Sequence, residues 1–367
     1  MTALALEPAH VRRLQARLLS WYAKAKRDLP WRRTRDPYAV WISETMLQQT
    51  RATTVIPFYE RFLAALPTVG ALAEAPQQQV LGLWSGLGYY RRARMLHAAA
   101  KHVVTAHGSR LPEAVEELRG LQGVGAYTAG AIASIAFGRR AAVVDGNVAR
   151  VLARLYSIED DVRAARGNAG MWALAQRLVD RLRGESGDWN QALMELGATV
   201  CLPREPRCDE CPVRGQCSGR ASGIAKQLPR MSRKGRPLTV ERVAVVLASP
   251  ARVLLARRRV DLLFGGLWEP PSTDGEIGAL AARLQVDLRG LDHVGDVVHV
   301  LSHRRMEVKV MRGALVRKGP SLLPGPDYDA VARVDLAHLG ERPQASLTRK
   351  ILEVANVCPR GLRSGAK

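Results

Sequence analysis

A run of closely spaced cysteines limits how this 367-residue chain can fold, because four of its five cysteines lie between residues 201 and 217. The run has the spacing C-x6-C-x2-C-x5-C and consists of Cys201, Cys208, Cys211 and Cys217. Thiolates this close together can enclose a metal centre, and soft sulfur ligands select zinc or an iron–sulfur cluster. Zinc ribbons usually present two C-x2-C pairs, whereas this run has only one, so its spacing favours an iron–sulfur cluster. A structural zinc site is the alternative.

The length and the patterning of the chain predict two domains. A chain of 367 residues exceeds the size of one ordinary hydrophobic core. Residues 1–220 have the pattern of successive helices, and residues 221–237 form a basic, glycine-containing stretch without apolar periodicity, which is typical of a linker. Residues 238–358 combine strand and helix patterns, which predicts a smaller α+β domain, and a short tail follows over 359–367.

Individual elements can be placed from local signals. Asp36 followed by Pro37 is typical of a helix N-terminus and predicts a helix over 39–53. Further helices are expected over 76–85, 91–106, 112–118 and 126–136. In the second domain, runs rich in Val and Leu predict two pairs of neighbouring strands. The first pair is 240–248 with 252–256, and the second pair is 294–301 with 306–315. Helices are expected over 274–289 and 347–357.

The charge of the chain favours a polyanionic partner. Lysine and arginine number 55 against 34 aspartates and glutamates, which gives a net charge of +21. Each phosphate that such a surface neutralises releases counterions and adds affinity, so nucleic acid is the expected partner. A solvated surface that reflects a composition rich in arginine and alanine is the alternative.

The chain carries no pattern of a membrane or secreted protein. Its first residues lack the basic region and the long apolar region of a signal peptide, and no run approaches the length of a membrane span. Crowded cysteines in a chain of this size are not typical of a disulfide scaffold. We expect a soluble, cytoplasmic monomer without a membrane partner.

Glu44 has an unusual sequence environment. In the segment VWISETML it shares a helical stripe with Val40, Trp41 and Leu47, at spacings of three and four residues. A glutamate on an apolar stripe is expected to be buried, and burial raises the pKa of a carboxyl so that it keeps a proton near neutral pH. Glu44 is therefore a candidate general acid, and a core glutamate paired with an arginine is the alternative.

A glycine-containing turn lies between two of the predicted helices. The segment LQGVGAYTAG places Gly123 and Gly125 in this turn. Glycines permit unusual backbone angles, and free N–H groups at the start of the following helix can hold one DNA phosphate. The flanking helices make the segment typical of a helix-hairpin-helix, although GVG alone also fits an ordinary helix connection.

Asp145 is a second candidate carboxyl, in the segment VVDGNVAR. It precedes a helix that begins near Asn147, where the helix dipole and backbone donors are expected to keep the carboxylate ionised. Its alternative role is a helix cap. One protonated and one charged carboxyl together are what acid-assisted glycosidic cleavage requires.

Five motifs in order carry a family resemblance. The segments WISETMLQQT, GLGYYRRAR, LQGVGAYTAG and VVDGNVARVL, together with the cysteine run, resemble the helix-hairpin-helix DNA glycosylases and most closely the MutY-type, or A/G-specific, adenine DNA glycosylases. The resemblance is dense over 15–220 and looser beyond. It implies a mainly α helix-hairpin-helix domain with a [4Fe-4S] loop and a C-terminal α+β Nudix-like domain. It also implies excision of adenine mispaired with 8-oxoguanine or guanine in double-stranded DNA, after the base is flipped out.

The resemblance implies a role for each candidate catalytic residue. Glu44 would protonate adenine N7, Asp145 would stabilise the oxocarbenium-like sugar, Tyr127 would assist beside it, and Asn147 would help to order the nucleophile. The related endonuclease III carries a lysine where this chain has Tyr127, and tyrosine has no amine to form a Schiff base, so strong strand cleavage is not expected. Thymine mismatch glycosylases share this tyrosine but generally lack the extra C-terminal domain, which favours adenine.

Further positions match the family residue by residue. Those implied to line the adenine pocket are Arg27, Trp31, Arg32 and Gln191, and those implied to probe or wedge the base stack opposite the lesion are Leu47, Gln49 and Tyr89. Simple core packing is the alternative for Trp31 and Leu47, and packing of a helix end is the alternative for Tyr89.

The C-terminal domain resembles the module of these enzymes that recognises 8-oxoguanine, on the segment GGLWEP at 265–270. A catalytic Nudix helix needs several glutamates to hold magnesium, but the helix predicted here contains only Glu276, so pyrophosphate hydrolysis is not expected. Ser302 and His303 match a Phe-Ser-His loop that contacts the oxidised guanine, whereas Leu301 departs from it. The alternative functions are a thymine mismatch glycosylase and a DNA-binding iron–sulfur redox sensor.

Overall fold

The computed structural model of the chain describes residues 7–232, 235, 237–284, 288–301, 303–315 and 326–357. They form two compact units. The helical unit takes the described residues of Met1–Ala73 and Ala98–Lys234, and the sheet unit takes those of Glu74–His97 and Gly235–Lys367.

Most of the α-helices follow one another along the first part of the chain, as the sequence predicts, and two more lie with the strands in the later part. They are α1 (Pro8–Ala25), α2 (Pro37–Leu47), α3 (Ala52–Ala65), α4 (Val69–Glu74), α5 (Gln77–Trp84), α6 (Arg91–His107), α7 (Val115–Gly120), α8 (Ala126–Ile135), α9 (Gly146–Leu155), α10 (Ala165–Asp180), α11 (Ser186–Thr199), α12 (Ser218–Ala221), α13 (Ile277–Leu284) and α14 (Ser346–Val354). Short 3-10 helices are Pro30–Arg32, Cys208–Glu210, Arg214–Gln216, Ala225–Gln227, Leu288–Gly290 and Leu336–Glu341. Within the described residues, no helix has the length and apolar character that crossing a membrane requires.

Helix α2 begins where the sequence predicts but ends earlier. The side chain of Asp36 accepts hydrogen bonds from the backbone N–H groups of Tyr38 and Ala39, so it is the N-cap, and Pro37 occupies the first helical position. The predicted helix over 39–53 is wrong at its end because Gln49 has a φ of 59°. This left-handed backbone conformation interrupts the helix, and α3 starts only at Ala52.

The helix-hairpin-helix is formed by α7 and α8. Gly123 has a φ of 84° in the turn, a conformation that suits glycine, and Gly125 is the N-cap of α8. Helix α8 is buried along nearly its whole length, and α2 and α11 both pack against it. This packing brings the helices that carry the candidate site residues into one core.

The sheet unit is α+β, as predicted. Its strands are β1 (Leu238–Ala248), β2 (Arg252–Arg258), β3 (Trp268–Glu269), β4 (Ser272–Thr273), β5 (Asp292–Val300), β6 (Arg304–Ala314) and β7 (Tyr328–Asp335). The order in the sheet is β3-β2-β1-β6-β5, with β4 paired to β1 and β7 paired to β2. Both predicted strand pairs are confirmed, since β1 pairs with β2 and β5 with β6 in antiparallel fashion. The pairing of β1 with β6 is parallel.

The core of the sheet unit lies between the sheet and α13. It contains Val245, Leu247, Leu254, Ala256, Leu280, Leu284, Leu291 and Tyr328. The alternation of buried and exposed residues along β6 fits a sheet with one face on this core. The helix predicted over 274–289 is shorter than expected, because only Ile277–Leu284 is α-helical in the described residues.

The compact units differ in two places from the boundaries expected from the sequence. Glu74–His97, expected in the first domain, belongs to the sheet unit. The first part of the expected linker packs on the helical unit, because Arg154 Nε donates to the carbonyl of Leu228 at 2.9 Å and the N–H of Val162 donates to that of Arg230 at 3.2 Å. Both differences come from contacts between residues distant in the chain.

We expect Gly130→Ala to destabilise the helical unit. An added Cβ at Gly130, in α8, would lie 2.2 Å from the backbone oxygen of Ala142. Relief of that clash requires backbone movement in a close-packed core, at a cost of about 2 kcal/mol or more in the free energy of unfolding. Gly170→Ala in α10 is the matched control, because its Cβ meets nothing within 4 Å and alanine favours a helix by roughly 1 kcal/mol. Urea unfolding that gave both variants the same stability would contradict this packing.

Candidate active site

One cavity in the helical unit brings together most of the residues predicted from the sequence. Its lining includes the four candidate catalytic residues and five of the candidate base-binding residues: Glu44, Tyr127, Asp145, Asn147, Arg27, Trp31, Arg32, Leu47 and Gln191. They come from segments far apart in the chain, including α2, α8, α11 and the start of α9. A cavity that gathers two carboxyls with aromatic and cationic side chains is a candidate active site.

Glu44 is buried, with 4% of its surface exposed, although it lines the cavity. Burial raises its pKa from the ordinary value of 4.5 to about 7, although a hydrogen bond from Tyr127 lowers it. The hydroxyl of Tyr127 donates to Oε2 of Glu44 at 2.7 Å and lies 3.2 Å from Sδ of Met194. The expected burial of this carboxyl is present, and the direction of its pKa agrees with the expectation of a proton near neutral pH. The partner is a tyrosine and not an arginine, because the nearby Arg32 forms its ion pair with Glu195.

Asp145 is at once a helix cap and a cavity residue. Its carboxylate accepts hydrogen bonds from the backbone N–H of Val148 at 2.7 Å and from Nδ2 of Asn147 at 3.1 Å. Burial raises its pKa above the ordinary value of 3.8, and these donors oppose that effect without cancelling it. The helix-terminal donors expected from the sequence are present, but burial dominates, so Asp145 is a weaker acid than a solvated aspartic acid.

Glu195 is a cavity residue that was not identified from the sequence. Its side chain is fully buried in α11. Nε and Nη2 of Arg27 and Nη2 of Arg32 each donate to its carboxylate at 2.8 Å. Burial opposes its ionisation, but the hydrogen bonds from Arg27 and Arg32 lower its pKa to about 2. Gln191, Met194 and Glu195 lie at helical spacings of three and four, so the reasoning applied to Glu44 could have identified this glutamate.

Arg150 links Asn147, two residues after the N-cap Asp145, to the first cysteine of the run. Its Nη2 donates to Oδ1 of Asn147 at 2.8 Å, and its Nε donates to the carbonyl of Cys201 at 2.8 Å. It is largely buried and also donates to the carbonyl of Gly197. A charged side chain with these acceptors holds the backbone after Asp145 close to the start of the cysteine run.

The four cysteines line a second cavity of the helical unit. Nη1 of Arg154 donates to Sγ of Cys201 at 3.3 Å, and the same guanidinium donates to the carbonyls of Leu202 and Pro203. Burial raises the pKa of Cys211 to about 12, so its thiolate needs a cationic centre to balance it. Within the described residues, no group of three or more His, Cys, Asp or Glu side chains is arranged to hold a metal ion.

Gln49 and Tyr89 share a backbone feature, although neither lines the candidate active site. Gln49 is exposed in the helical unit with a φ of 59°, and Tyr89 is 46% exposed in the sheet unit with a φ of 50°. Left-handed backbone at residues other than glycine is strained, and such strain is concentrated at functional sites.

The other predicted residues lie outside the cavity. Gly123 and Gly125 form the hairpin turn, and a Cβ at Gly125 would meet nothing within 4 Å, so its backbone is open to a ligand. His303 is exposed between β5 and β6, where its carbonyl accepts from the N–H of Leu238. Ser302 lies outside the described residues. Glu276 is exposed and immediately precedes α13.

The sequence matches two families. Residues 42–172 match the HhH-GPD superfamily of base excision DNA repair proteins, and residues 242–354 match the NUDIX domain. The adenine DNA glycosylase of Homo sapiens is 37% identical, in an alignment that covers 96% of this chain and 79% of the human protein. That of Rattus norvegicus is 39% identical over 86% of this chain and 74% of the rat protein. A thermostable thymine-DNA glycosylase of known structure is 30% identical, with a TM-score of 0.53, and covers 58% of this chain and 98% of its own.

Fold, cavity and matches together define a helix-hairpin-helix DNA glycosylase, a hydrolase of N-glycosyl bonds in base excision repair. The chain belongs to the MutY-type family of adenine DNA glycosylases. The predicted Nudix-like character of the C-terminal domain is confirmed by the NUDIX match. Membership of an enzyme family argues against a pure redox sensor.

We expect Glu44→Gln to lower the rate of base release by a factor of about 10² to 10⁴, the usual contribution of a positioned general acid. The amide keeps the shape of the side chain but has no acidic proton. Single-turnover base release measures the change, and duplex affinity should be retained. Glu60→Gln, the same substitution at an exposed position of α3, is the control. An unchanged rate of base release in Glu44→Gln would show that Glu44 is not the general acid.

The pH dependence should follow the two carboxyls. A general acid at Glu44 would act when protonated, so the rate should fall as the pH rises through its pKa of about 7. A charge-stabilising carboxylate at Asp145 would act when ionised, so the rate should also fall at low pH, below its raised pKa. Tyr127→Phe removes a hydrogen bond that lowers the pKa of Glu44, so the alkaline decline should move to higher pH. A single-turnover pH profile in which it moves to lower pH would contradict the assignment.

Proposed function

We propose that this glycosylase excises adenine mispaired with 8-oxoguanine or guanine in double-stranded DNA. The observation that carries the proposal is the buried Glu44, whose pKa of about 7 keeps a proton in the same cavity as Asp145. Adenine has a basic N7 that such a proton can reach, whereas thymine has no equivalent ring nitrogen. The target base must leave the helix to enter the cavity, because its glycosidic bond is shielded inside a duplex.

The chemistry divides between the two carboxyls. Glu44 donates its proton to N7, and as the N9–C1′ bond breaks, its electron pair passes to the protonated base. The positive charge left on the sugar is stabilised by the carboxylate of Asp145. Water then adds to C1′, and the ionised Glu44 accepts its proton, which restores the starting state. Tyr127 orients Glu44, and because it has no amine we propose a monofunctional enzyme.

The arginine–glutamate cluster at the cavity wall supports recognition of the flipped base. Glu195 fixes Arg27 and Arg32 through charged hydrogen bonds at 2.8 Å. The N–H groups of the two guanidiniums that do not bind Glu195 are therefore held in place for a ligand. We propose that Arg27, Trp31, Arg32 and Gln191 bind adenine, and that Asn147 holds the region of the attacking water through its contact with Asp145.

Residues outside the cavity, together with Leu47 in its lining, are proposed to act on the rest of the duplex. Gly123 and Gly125 would hold a phosphate through the backbone at the start of α8. Leu47, Gln49 and Tyr89 would probe the stack opposite the flipped base, a role that fits the exposed and strained backbone of the last two. Ser302 and His303 would contact 8-oxoguanine, with Leu301 in place of the aromatic residue of relatives.

We also propose a [4Fe-4S] cluster held by Cys201, Cys208, Cys211 and Cys217. Four thiols that line one cavity can hold a multi-atom cluster, and a run with a single C-x2-C pair is less typical of zinc. When bound, the cluster would supply a fixed, positively charged centre that balances the thiolates and shapes the basic loop. Arg150 and Arg154 tie that loop to α9. We further propose that the enzyme is a cytoplasmic monomer, associated with the nucleoid if the cell is bacterial.

A panel of duplexes tests the substrate. Duplexes that contain A:8-oxoG, A:G, T:G or A:T are incubated with the protein, and the free base is identified by chromatography. Release of adenine from the first two, and of no base from the last two, is expected. The rival thymine activity would be established by release of thymine from T:G without release of adenine from either mispair.

The metal content tests the cluster. Protein purified without oxygen should contain iron and acid-labile sulfide in equal amounts and no stoichiometric zinc. Cys208→Ser should lose iron and visible absorption, because the hydroxyl is a poorer ligand than the thiolate. Cys358→Ser, at the cysteine outside the run and outside the described residues, is the matched control. Stoichiometric zinc in place of iron would reject the cluster.

A further inference from the structure

The turn that presents Tyr89 has a strained backbone. Gly86, Gly88 and Tyr89 all have positive φ values, of 104°, 79° and 50°. Two of these residues are glycines, which tolerate such angles, but Tyr89 is not, and it is exposed. A strained conformation persists only where the surrounding structure imposes it. The contacts of the turn therefore indicate what controls the position of Tyr89.

Two side chains of the turn segment bind the backbone of one residue near the C-terminus. The hydroxyl of Tyr90 donates to the carbonyl of Gln344 at 2.7 Å and accepts from the N–H of Gly86 at 3.1 Å. Oγ of Ser85 donates to the same carbonyl at 3.1 Å and accepts from the N–H of Gln344 at 3.4 Å. Gln344 is itself buried, and its Nε2 donates to the carbonyl of Leu339 at 2.7 Å. One hydroxyl thus joins the start of the turn to the loop before α14.

The turn is also held from its own side. Nε1 of Trp84 and Nη2 of Arg92 both donate to the carbonyl of Gly88, at 3.1 and 3.3 Å. The guanidinium of Arg92 lies 5.5 Å from the ring centre of Trp84 and 5.2 Å from that of Tyr89. These cation–π contacts place the Tyr89 ring against Arg92 while leaving it accessible.

The neighbouring helices are fixed to the GGLWEP segment. In α5, Nε2 of Gln78 donates to the carbonyl of Gly266, and Oε1 of Gln78 accepts from Nε1 of Trp268, both at 2.9 Å. In α6, Nη1 of Arg94 donates to the carbonyl of Gly265 at 2.7 Å. The helices on either side of the turn are therefore joined to the same unit as Gln344.

We propose that Tyr90, Ser85 and the Gln344 backbone form a latch through which the C-terminal part of the chain holds Tyr89 in the conformation that engages DNA. Tyr90 and Ser85 are positioning residues, since both hydroxyls bind the backbone of Gln344. The C-terminal part thus contributes to lesion recognition by pre-organising the Tyr89 turn, in addition to any contact of its own with the damaged strand. This inference rests on the proposed function, in which Tyr89 probes the stack.

The test is a double-mutant cycle with single-turnover adenine release from A:8-oxoG duplexes as the readout. Tyr90→Phe removes the bridging hydroxyl and should raise the half-saturating enzyme concentration roughly tenfold, as expected for the loss of one buried hydrogen bond. The rate at saturation should stay at the wild-type value, because the latch does not touch Glu44 or Asp145. In a Tyr89→Ala background, Tyr90→Phe should cause no further loss.

Tyr38→Phe is the matched control. Tyr38 is as buried as Tyr90, and its hydroxyl also donates to a backbone carbonyl, that of Leu66, at 2.8 Å. It should leave the half-saturating concentration unchanged. If Tyr90→Phe does not fold, Ser85→Ala replaces it in the same cycle. An equal loss in the wild-type and Tyr89→Ala backgrounds, or no loss beyond that of Tyr38→Phe, would overturn the latch.

A second readout needs no substrate. Hydrogen exchange of the Gly86 amide in the free protein should accelerate in Tyr90→Phe and remain at the wild-type rate in Tyr38→Phe. Equal protection of Gly86 in all three proteins would reject the latch even if the enzyme acts as proposed. A wild-type protein that releases no adenine would instead reject the proposed function, and the exchange measurement would still decide the latch.

Discussion

The removal of Glu44 from water is the constraint on which the site depends. An apolar helix packed against α8 places this carboxyl where its charge is poorly solvated, and the carboxyl accepts a hydrogen bond from Tyr127, which is itself buried. Burial consequently raises the pKa of Glu44 to about 7, so a substantial fraction of the carboxyl carries a proton near neutral pH. Without the surrounding packing, the same residue would be an ordinary ionised glutamate.

Three carboxyls in one cavity have different environments and different protonation. Glu195 has two arginines and a pKa of about 2, so it is a permanent anion that fixes the cavity wall. Asp145 accepts hydrogen bonds from a helix terminus and from Asn147, which partly offset the effect of burial on its pKa. Within the described residues, Glu44 forms no ion pair, and it lies inside α2 and not at a helix terminus. The positions of the arginines therefore decide which carboxyl has a high pKa and can donate a proton, and which carboxyls stay negatively charged.

Features set by local sequence were predictable, and those set by distant contacts were not. The Asp36 cap, the stripe containing Glu44 and the two strand pairs follow from periodicity and turn residues, and all are present. The partnership of Glu195 with Arg27 joins residues 168 positions apart, so no local pattern contains it. The end of α2 depends on the backbone angle of Gln49, and the placement of Glu74–His97 in the sheet unit depends on contacts such as that between Gln78 and Trp268. The family resemblance supplied the pocket positions but not the interactions that fix them.

The central claim is that Glu44 holds a proton near neutral pH, and infrared spectroscopy can measure it directly. The carboxyl stretching band that is lost in Glu44→Gln should be that of a protonated acid below a pH of about 7 and should change to that of a carboxylate above it. Tyr127→Phe should move this transition to higher pH. A transition near 4.5, the ordinary value for a glutamate, would contradict the account.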